Sequence, residues 1–227
     1  MSTTRNAFHA AIDRLQEMLF SMADGVDDMI GLAMEALASP GAAASGSAVT
    51  VNEAVERVFA ADDFVDNLDI EIEKHCIDLI ALQQPAARDL RFIGSAMKIS
   101  TDLERIADHA VDIAKIARKL AALGESGAST ELADLAQAIR RMLSDALNAF
   151  LMHDLTLLEK VIADDDGIDN RYREFTAATT ARMERDSRHA VSSSYLLFAV
   201  HYLERMADHI VNIAERVSYV ETGQMSR

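Results

Sequence analysis

Four pairs of carboxylates stand four residues apart along this chain: Asp62 and Asp66, Glu104 and Asp108, Asp165 and Asp169, Glu204 and Asp208. On a helix, that spacing places two Cβ atoms roughly 5–6 Å apart on one face. Like charges so placed weaken the helix unless something neutralises them. A divalent cation would do so, because hard cations take carboxylate oxygens as ligands. Asp69 and Glu73 extend the Asp62–Asp66 stripe, and Asp112 extends the Glu104–Asp108 stripe. A solvated face is the simpler reading of any one pair. On a helical wheel at about 100° per residue, Leu103, Ile106, Ala107, Ala110, Ile113 and Ala117 fill an apolar arc, and Glu104 and Asp108 lie just outside it. Four pairs together favour metal, held in shallow surface sites between helices and not deep in a core. His109 and His209 follow the motif aspartates but lie about 100° round the wheel from them, which argues against a shared ion. Arg105 and Arg205 are suited to pair with the neighbouring carboxylates, and such pairing is the main alternative to metal at Asp108 and Asp208.

The elements that must position these groups are long helices. Phe8, Ile12, Leu15, Leu19, Met22, Val26, Met29, Ala33 and Leu37 recur at steps of four and three, as in a bundle seam. This predicts a first helix over about 4–38, stopped by Ser39-Pro40-Gly41, with a small-residue linker to about Ala48. A second helix is expected over 51–83, with the apolar line Val58, Val65, Ile72, Cys76 and Leu79, closing at Gln84-Pro85. A third runs from just after Pro85 to about Leu123, and Gly124 to Ser129 then breaks the pattern. Three more helices follow, over about 130–152, 155–185 and 191–221.

The second triplet repeats the first. Leu103-Glu-Arg-Ile-Ala-Asp-His-Ala-Val-Asp-Ile-Ala114 matches Leu203-Glu-Arg-Met-Ala-Asp-His-Ile-Val-Asn-Ile-Ala214 at nine of twelve positions. Val58, Val65 and Ile72 align with Val161, Ile168 and Phe175, and Asp62 and Asp66 with Asp165 and Asp169. Apolar seam and charged residues recur together, which shared composition does not readily produce. The first helices of the two triplets differ in length and match poorly. The expected fold is all-α: six long helices as two tandem three-helix bundles, over 1–123 and 130–227.

Composition agrees and narrows the function. The 227 residues hold 50% hydrophobic side chains, two prolines and no tryptophan, which suits helices with a sizeable core. Lysine and arginine number 22 against 37 acidic residues, a net charge of −15. Such a surface repels nucleic acid and acidic membranes and attracts cations. The single cysteine, Cys76, lies on an apolar line and excludes an intramolecular disulfide, in keeping with a reducing cytoplasm. The opening residues lack the basic start and apolar run of a signal peptide, and no stretch reaches the ~20 apolar residues of a spanning helix. Any membrane link is therefore expected to run through partner proteins. No Glu-x-x-His of ferritin-like oxidases, Walker lysine motif or zinc-spaced Cys/His cluster is present.

Gln84-Pro85-Ala86-Ala87-Arg88-Asp89-Leu90-Arg91, followed by Leu103-Glu104-Arg105-Ile106-Ala107-Asp108 and its repeat at Glu204-Arg-Met-Ala-Asp208, resembles the PhoU family over nearly the whole chain. Family members often carry glycine where this chain has Ala107 and Ala207, and Asp112 is answered by Asn212, so the two sites need not be identical. The resemblance implies two three-helix bundles, frequent dimerisation and multinuclear clusters of iron, zinc, manganese or magnesium on the motif carboxylates. By position, Glu104, Asp108, Glu204 and Asp208 would be ligands, joined by Asp62, Asp66, Asp165 and Asp169. It implies a cytoplasmic, non-enzymatic negative regulator of phosphate uptake and of the phosphate-starvation response, linking the ATPase subunit of the phosphate ABC transporter to a sensor histidine kinase. A carboxylate-bridged metal-dependent hydrolase and a metal-free helical scaffold are the alternatives.

Overall fold

The computed structural model describes residues 2–39 and 50–224, so the linker expected at 40–48 lies outside the described residues. Six helices form: α1 (Ser2–Ala38), α2 (Val51–Gln83), α3 (Ala87–Ala122), α4 (Thr130–Met152), α5 (Leu155–Arg185) and α6 (Ala190–Thr222). A single 3₁₀ turn, Ser187–His189, leads into α6, and the described residues contain no strand.

Each helix forms where apolar side chains recur at three- and four-residue steps. On α3, Ile99, Leu103, Ile106, Ala110, Ile113 and Ala117 are buried, so the apolar arc read on the wheel is the face that packs. The line Val58, Val65, Ile72, Cys76 and Leu79 is buried on α2 in the same way. Burial pushes the Cys76 thiol up to about 12, so it behaves as a small apolar residue with little thiolate.

The ends of the helices are set by local chemistry. Thr50 opens α2 with a capping box: its hydroxyl accepts from the Glu53 amide at 3.2 Å, and its own amide donates to the Glu53 carboxylate at 2.7 Å. Thr50→Ala is expected to cost about 1 kcal/mol in urea unfolding, with Thr50→Ser close to wild type. A full wild-type midpoint for the alanine variant would show that this cap contributes nothing. Gly124 closes α3 at φ 72°, where the Glu125 amide reaches back to Leu120 O and the Gly124 amide to Ala121 O, both at 3.0 Å. The connection is then tied to α1, since the Gly127 amide donates to Leu37 O at 2.9 Å. A Cβ on Gly127 would stand 2.6 Å from the Leu37 side chain, so this close approach requires glycine.

Neighbouring helices within each triplet run antiparallel. The most extensive packing joins the triplets, α3 against α6, and a lesser contact joins α1 to α4. The buried residues of all six helices form one continuous core. α3 and α6 cross antiparallel, as their polar contacts show: Asp102 faces His209 while His109 stacks on Tyr202. The repeat-related positions 102 and 202 thus each meet the repeat-related histidine of the other half. The arrangement is a local pseudo-twofold at the seam.

Candidate metal centres

The α2–α3 face collects the first set of carboxylates. The charges of Asp66 and Asp108 both act on Asp62, and those of Asp108, Asp69 and Asp66 act on Glu104. The α5–α6 face collects the second set, where Asp208, Asp169 and Glu204 act on Asp165. Antiparallel packing of each helix pair does this, because the four-residue stripes on the two helices come to lie side by side. All eight carboxylates singled out by spacing fall into these two groups, four in each.

The shared environment shows in their protonation. Partial burial, reinforced by Asp66 and Asp108, pushes Asp62 up to about 6. Burial reinforced by Asp208 and Asp169 does the same to Asp165, also to about 6. Burial and then Asp108 raise Glu104, and burial and then Asp208 raise Glu204. Burial and then Asp108 also raise Asp66. Each group sits among like charges on a partly covered surface, which favours its neutral form.

Arginines take up part of this charge. Arg105 donates to Asp108 at 2.9 Å and stands 3.3 Å from Glu104, and Arg205 donates to Asp208 at 2.9 Å. Arg173 donates to Asp169 at 2.6 Å. The pairing expected from the sequence as the alternative to metal is therefore present at Asp108 and Asp208. Asp62 and Asp165 have no ion pair among the described residues. Asp69 accepts a hydrogen bond from the buried Ser100 hydroxyl on α3, so it is committed to holding the two helices together. Asp112 pairs with Lys115 at 3.0 Å.

The donor set fits a hard cation, being made of oxygen throughout. Glu204 adds a second indication. Its Oε2 oxygen is shut off from solvent with no hydrogen-bond donor, and His201 Nδ1 is 3.5 Å away. A buried carboxylate oxygen left without a partner is costly, and a cation would satisfy it. Among the described residues, no three His, Cys, Asp or Glu side chains already converge as a metal cage. Swinging Arg105 and Arg205 out to solvent would free Asp108 and Asp208 for ligation, and both arginines are half-exposed.

His109 and His209 lie at the α3–α6 seam, where the charge of Asp108 still acts on His109. The His109 and His209 rings lie 5.7 Å apart, His109 stacks on Tyr202 at 5.4 Å, and His209 Nδ1 is 2.9 Å from Asp102 Oδ1. Burial, with His209 adding to it, lowers His109 to about 4, so it packs as a neutral ring. Asp102 and Tyr202 were not marked by the carboxylate spacing. The signal available for them was the repeat, which aligns the two positions immediately before the Leu-Glu-Arg motifs.

A pH dependence follows for protein stripped of cations. Asp62 and Asp165 have folded values near 6 against an ordinary 3.8. Their contribution to stability is fully present below about pH 4 and is lost as pH rises through 6. His109, held at about 4, acts in the opposite sense between about pH 4 and 6.5, so the aspartates are read by difference. In chelator, the urea midpoint of wild type relative to the double variant Asp62→Asn, Asp165→Asn is expected to fall between pH 5 and pH 7.5. A difference that stays constant or rises over that interval would contradict the repulsion described above.

The two carboxylate faces recur in a chain whose whole length has known relatives. The PhoU domain family matches residues 19–117 and 132–217, one match in each triplet. A phosphate-specific transport system accessory protein PhoU homolog of Clostridium acetobutylicum is 32% identical over 222 residues, covering 97% of each chain. One from Pseudomonas putida is 33% identical over 217 residues, covering 95% of this chain and 81% of its own. The crystal structure of PhoU from Pseudomonas aeruginosa superposes with a TM-score of 0.85 at 29% identity, covering 96% of this chain and 100% of that one. The structure of the phosphate transport system regulatory protein PhoU from Streptococcus pneumoniae gives 0.85 at 28% identity, covering 97% and 99%. The doubled motif, the six-helix architecture and these full-length matches agree, and the chain belongs to the PhoU family.

Proposed function

We propose that this protein is a cytoplasmic negative regulator of phosphate uptake and of the phosphate-starvation response. It acts without catalysis, as a metal-binding adaptor between the ATPase subunit of the phosphate ABC transporter and a sensor histidine kinase, and it works as a homodimer. The observation that carries the metal part is the facing of carboxylates across α2–α3 and again across α5–α6, with Glu204 Oε2 left unpartnered. Asp62, Asp66, Glu104 and Asp108 would hold one cation group, and Asp165, Asp169, Glu204 and Asp208 the other. An all-carboxylate set suits magnesium or manganese best and accommodates iron or zinc. Bound cations would supply charge neutralisation, clamping the second helix of each triplet to the third. The transport role is supported by the names of the relatives, which are accessory and regulatory proteins of phosphate transport systems. No described helix is long and apolar enough to cross a membrane, in keeping with attachment through partners.

One observation favours a second reading, a metal-free scaffold: Arg105 and Arg205 already neutralise Asp108 and Asp208. Metal content separates the two readings. The adaptor role is tested by affinity purification of tagged protein from membranes of phosphate-replete cells. The transporter's ATPase subunit and the kinase are expected to co-purify. Recovery of neither after mild cross-linking would overturn the adaptor role while leaving the metal question open.

A further inference from the structure

A cavity of about 910 Å³ opens at the end of the second triplet, where α4 begins, α5 ends and α6 begins. The repeat explains why it is there. In the first triplet, the corresponding end is covered by the first turns of α1: Phe8, Ala11 and Ile12 pack on the core, and Ala11 O lies 3.0 Å from His75 Nε2 on α2. α4 has 23 residues against 37 in α1 and has no counterpart of those turns.

A missing cover would ordinarily expose an apolar floor; Leu132, Leu135, Phe175 and Leu196 still line it, but four other positions have changed character. Cys76 and Leu79 of α2 align with Thr179 and Arg182 of α5, and Phe92 and Ile93 of α3 align with Ser192 and Ser193 of α6. All four first-triplet residues are buried and apolar. Their counterparts are three hydroxyls and a guanidinium, and all four line the cavity. Ser193 is 1% exposed and Thr179 8% exposed. Ser192 donates to His189 O at 3.2 Å. Where the first triplet has apolar side chains, these positions bring hydroxyl donors and acceptors to the cavity, which a polar occupant can use.

The walls narrow the chemistry. Arg141, Arg171 and Arg182 surround the opening without an ion pair among the described residues, although Arg171 also reaches Asp134 O at 3.5 Å. Guanidinium groups and hydroxyls together form the usual recognition set for phosphoryl oxygens, and three guanidinium groups suit a group bearing more than one negative charge. Glu125, Glu131, Asp134 and Glu174 also line the cavity and would repel a bare anion. They suit a ligand whose body donates hydrogen bonds. The volume falls within the 300–1,000 Å³ typical of small-molecule sites and is generous for a free phosphate ion. We infer that this cavity binds a phosphorylated metabolite with a hydroxyl- or amino-bearing body, its phosphoryl group held by Arg182 and the hydroxyls of Thr179 and Ser193. The site is independent of the acidic faces.

The test is isothermal titration of the full chain with adenosine 5′-monophosphate, ribose 5-phosphate, inorganic phosphate and acetate. Chelator is kept present so that no cation on the acidic faces recruits phosphate. Saturable binding of at least one of the two organic phosphates is expected, tighter than that of acetate. It is expected to weaken at least tenfold in Arg182→Leu and in Thr179→Val, the first installing the residue found at the equivalent place in the first triplet. Circular dichroism of both variants establishes that they fold, and the exposed Arg182 makes its variant the safer of the two. Binding of inorganic phosphate that equals that of the organic phosphates would overturn the metabolite assignment in favour of the free ion. Absence of binding by any phosphorylated probe, binding unchanged in both variants, or acetate binding equally well would overturn the site itself.

Discussion

Neutralising the second acidic face is expected to change stability in opposite directions according to whether cations are present. In chelator, Asp165→Asn should raise the unfolding midpoint slightly, because it removes a carboxylate whose charged form is disfavoured by partial burial and then by Asp208 and Asp169. Like-charge pairs at helical spacing cost only about 0.2–0.5 kcal/mol each, so the gain is small. With a divalent cation at a hundredfold excess over its dissociation constant, the wild type should gain about 2.7 kcal/mol per independent site. For a chain of this size that corresponds to roughly 5–11 °C in melting temperature. The double variant Asp165→Asn, Glu204→Gln should lose the gain from this face and keep that of the α2–α3 face. A purely structural role for these carboxylates gives the reverse pattern, with loss in chelator and no dependence on cation. Differential scanning calorimetry with and without magnesium or manganese distinguishes the two.

The second large effect concerns the seam between the triplets. Leu103 and Leu203 are both fully buried, on the two helices that make the most extensive contact in the molecule. Truncating either to alanine leaves a cavity and should cost about 2–5 kcal/mol, roughly 4–20 °C in melting temperature. Because one core runs through all six helices, Leu103→Ala should not melt the first triplet alone. A single transition shifted to lower temperature is expected for both variants by far- and near-ultraviolet circular dichroism. Two separated transitions would show that the triplets are energetically independent despite their packing.

Much of this was written in the order of apolar residues. The steps of three and four on α2 and α3 mark the faces that are buried, and the repeated Leu-Glu-Arg context marks the duplication. The carboxylates were legible for the same reason: spacing within one helix is fixed by its geometry, so Glu104 and Asp108 share a face in any fold that keeps α3. What spacing cannot show is the choice a flexible side chain makes among neighbours. Arg105 pairs with Asp108 as expected, but Asp69, a member of the acidic stripe, takes the Ser100 hydroxyl of α3. Contacts across the α3–α6 seam were also hidden, because the direction in which two distant helices cross is a tertiary property. His109 therefore met Tyr202, and His209 met Asp102, without any local signal. The cavity beside α4 was the least legible feature. It arises from turns that α4 lacks, and only a comparison of aligned buried positions, Cys76 with Thr179 and Ile93 with Ser193, reveals the hydroxyls in its floor.

The central claim is that the two carboxylate faces hold cations, and metal content measures it most directly. Protein purified without chelator, dialysed against metal-free buffer and examined by inductively coupled plasma mass spectrometry should carry at least one metal ion per acidic face. Glu104→Ala and Glu204→Ala should each remove the metal of one face, and the double variant should carry almost none. Substoichiometric metal in the wild type, unchanged by either substitution, would contradict the claim and leave Arg105 and Arg205 as the partners of these aspartates.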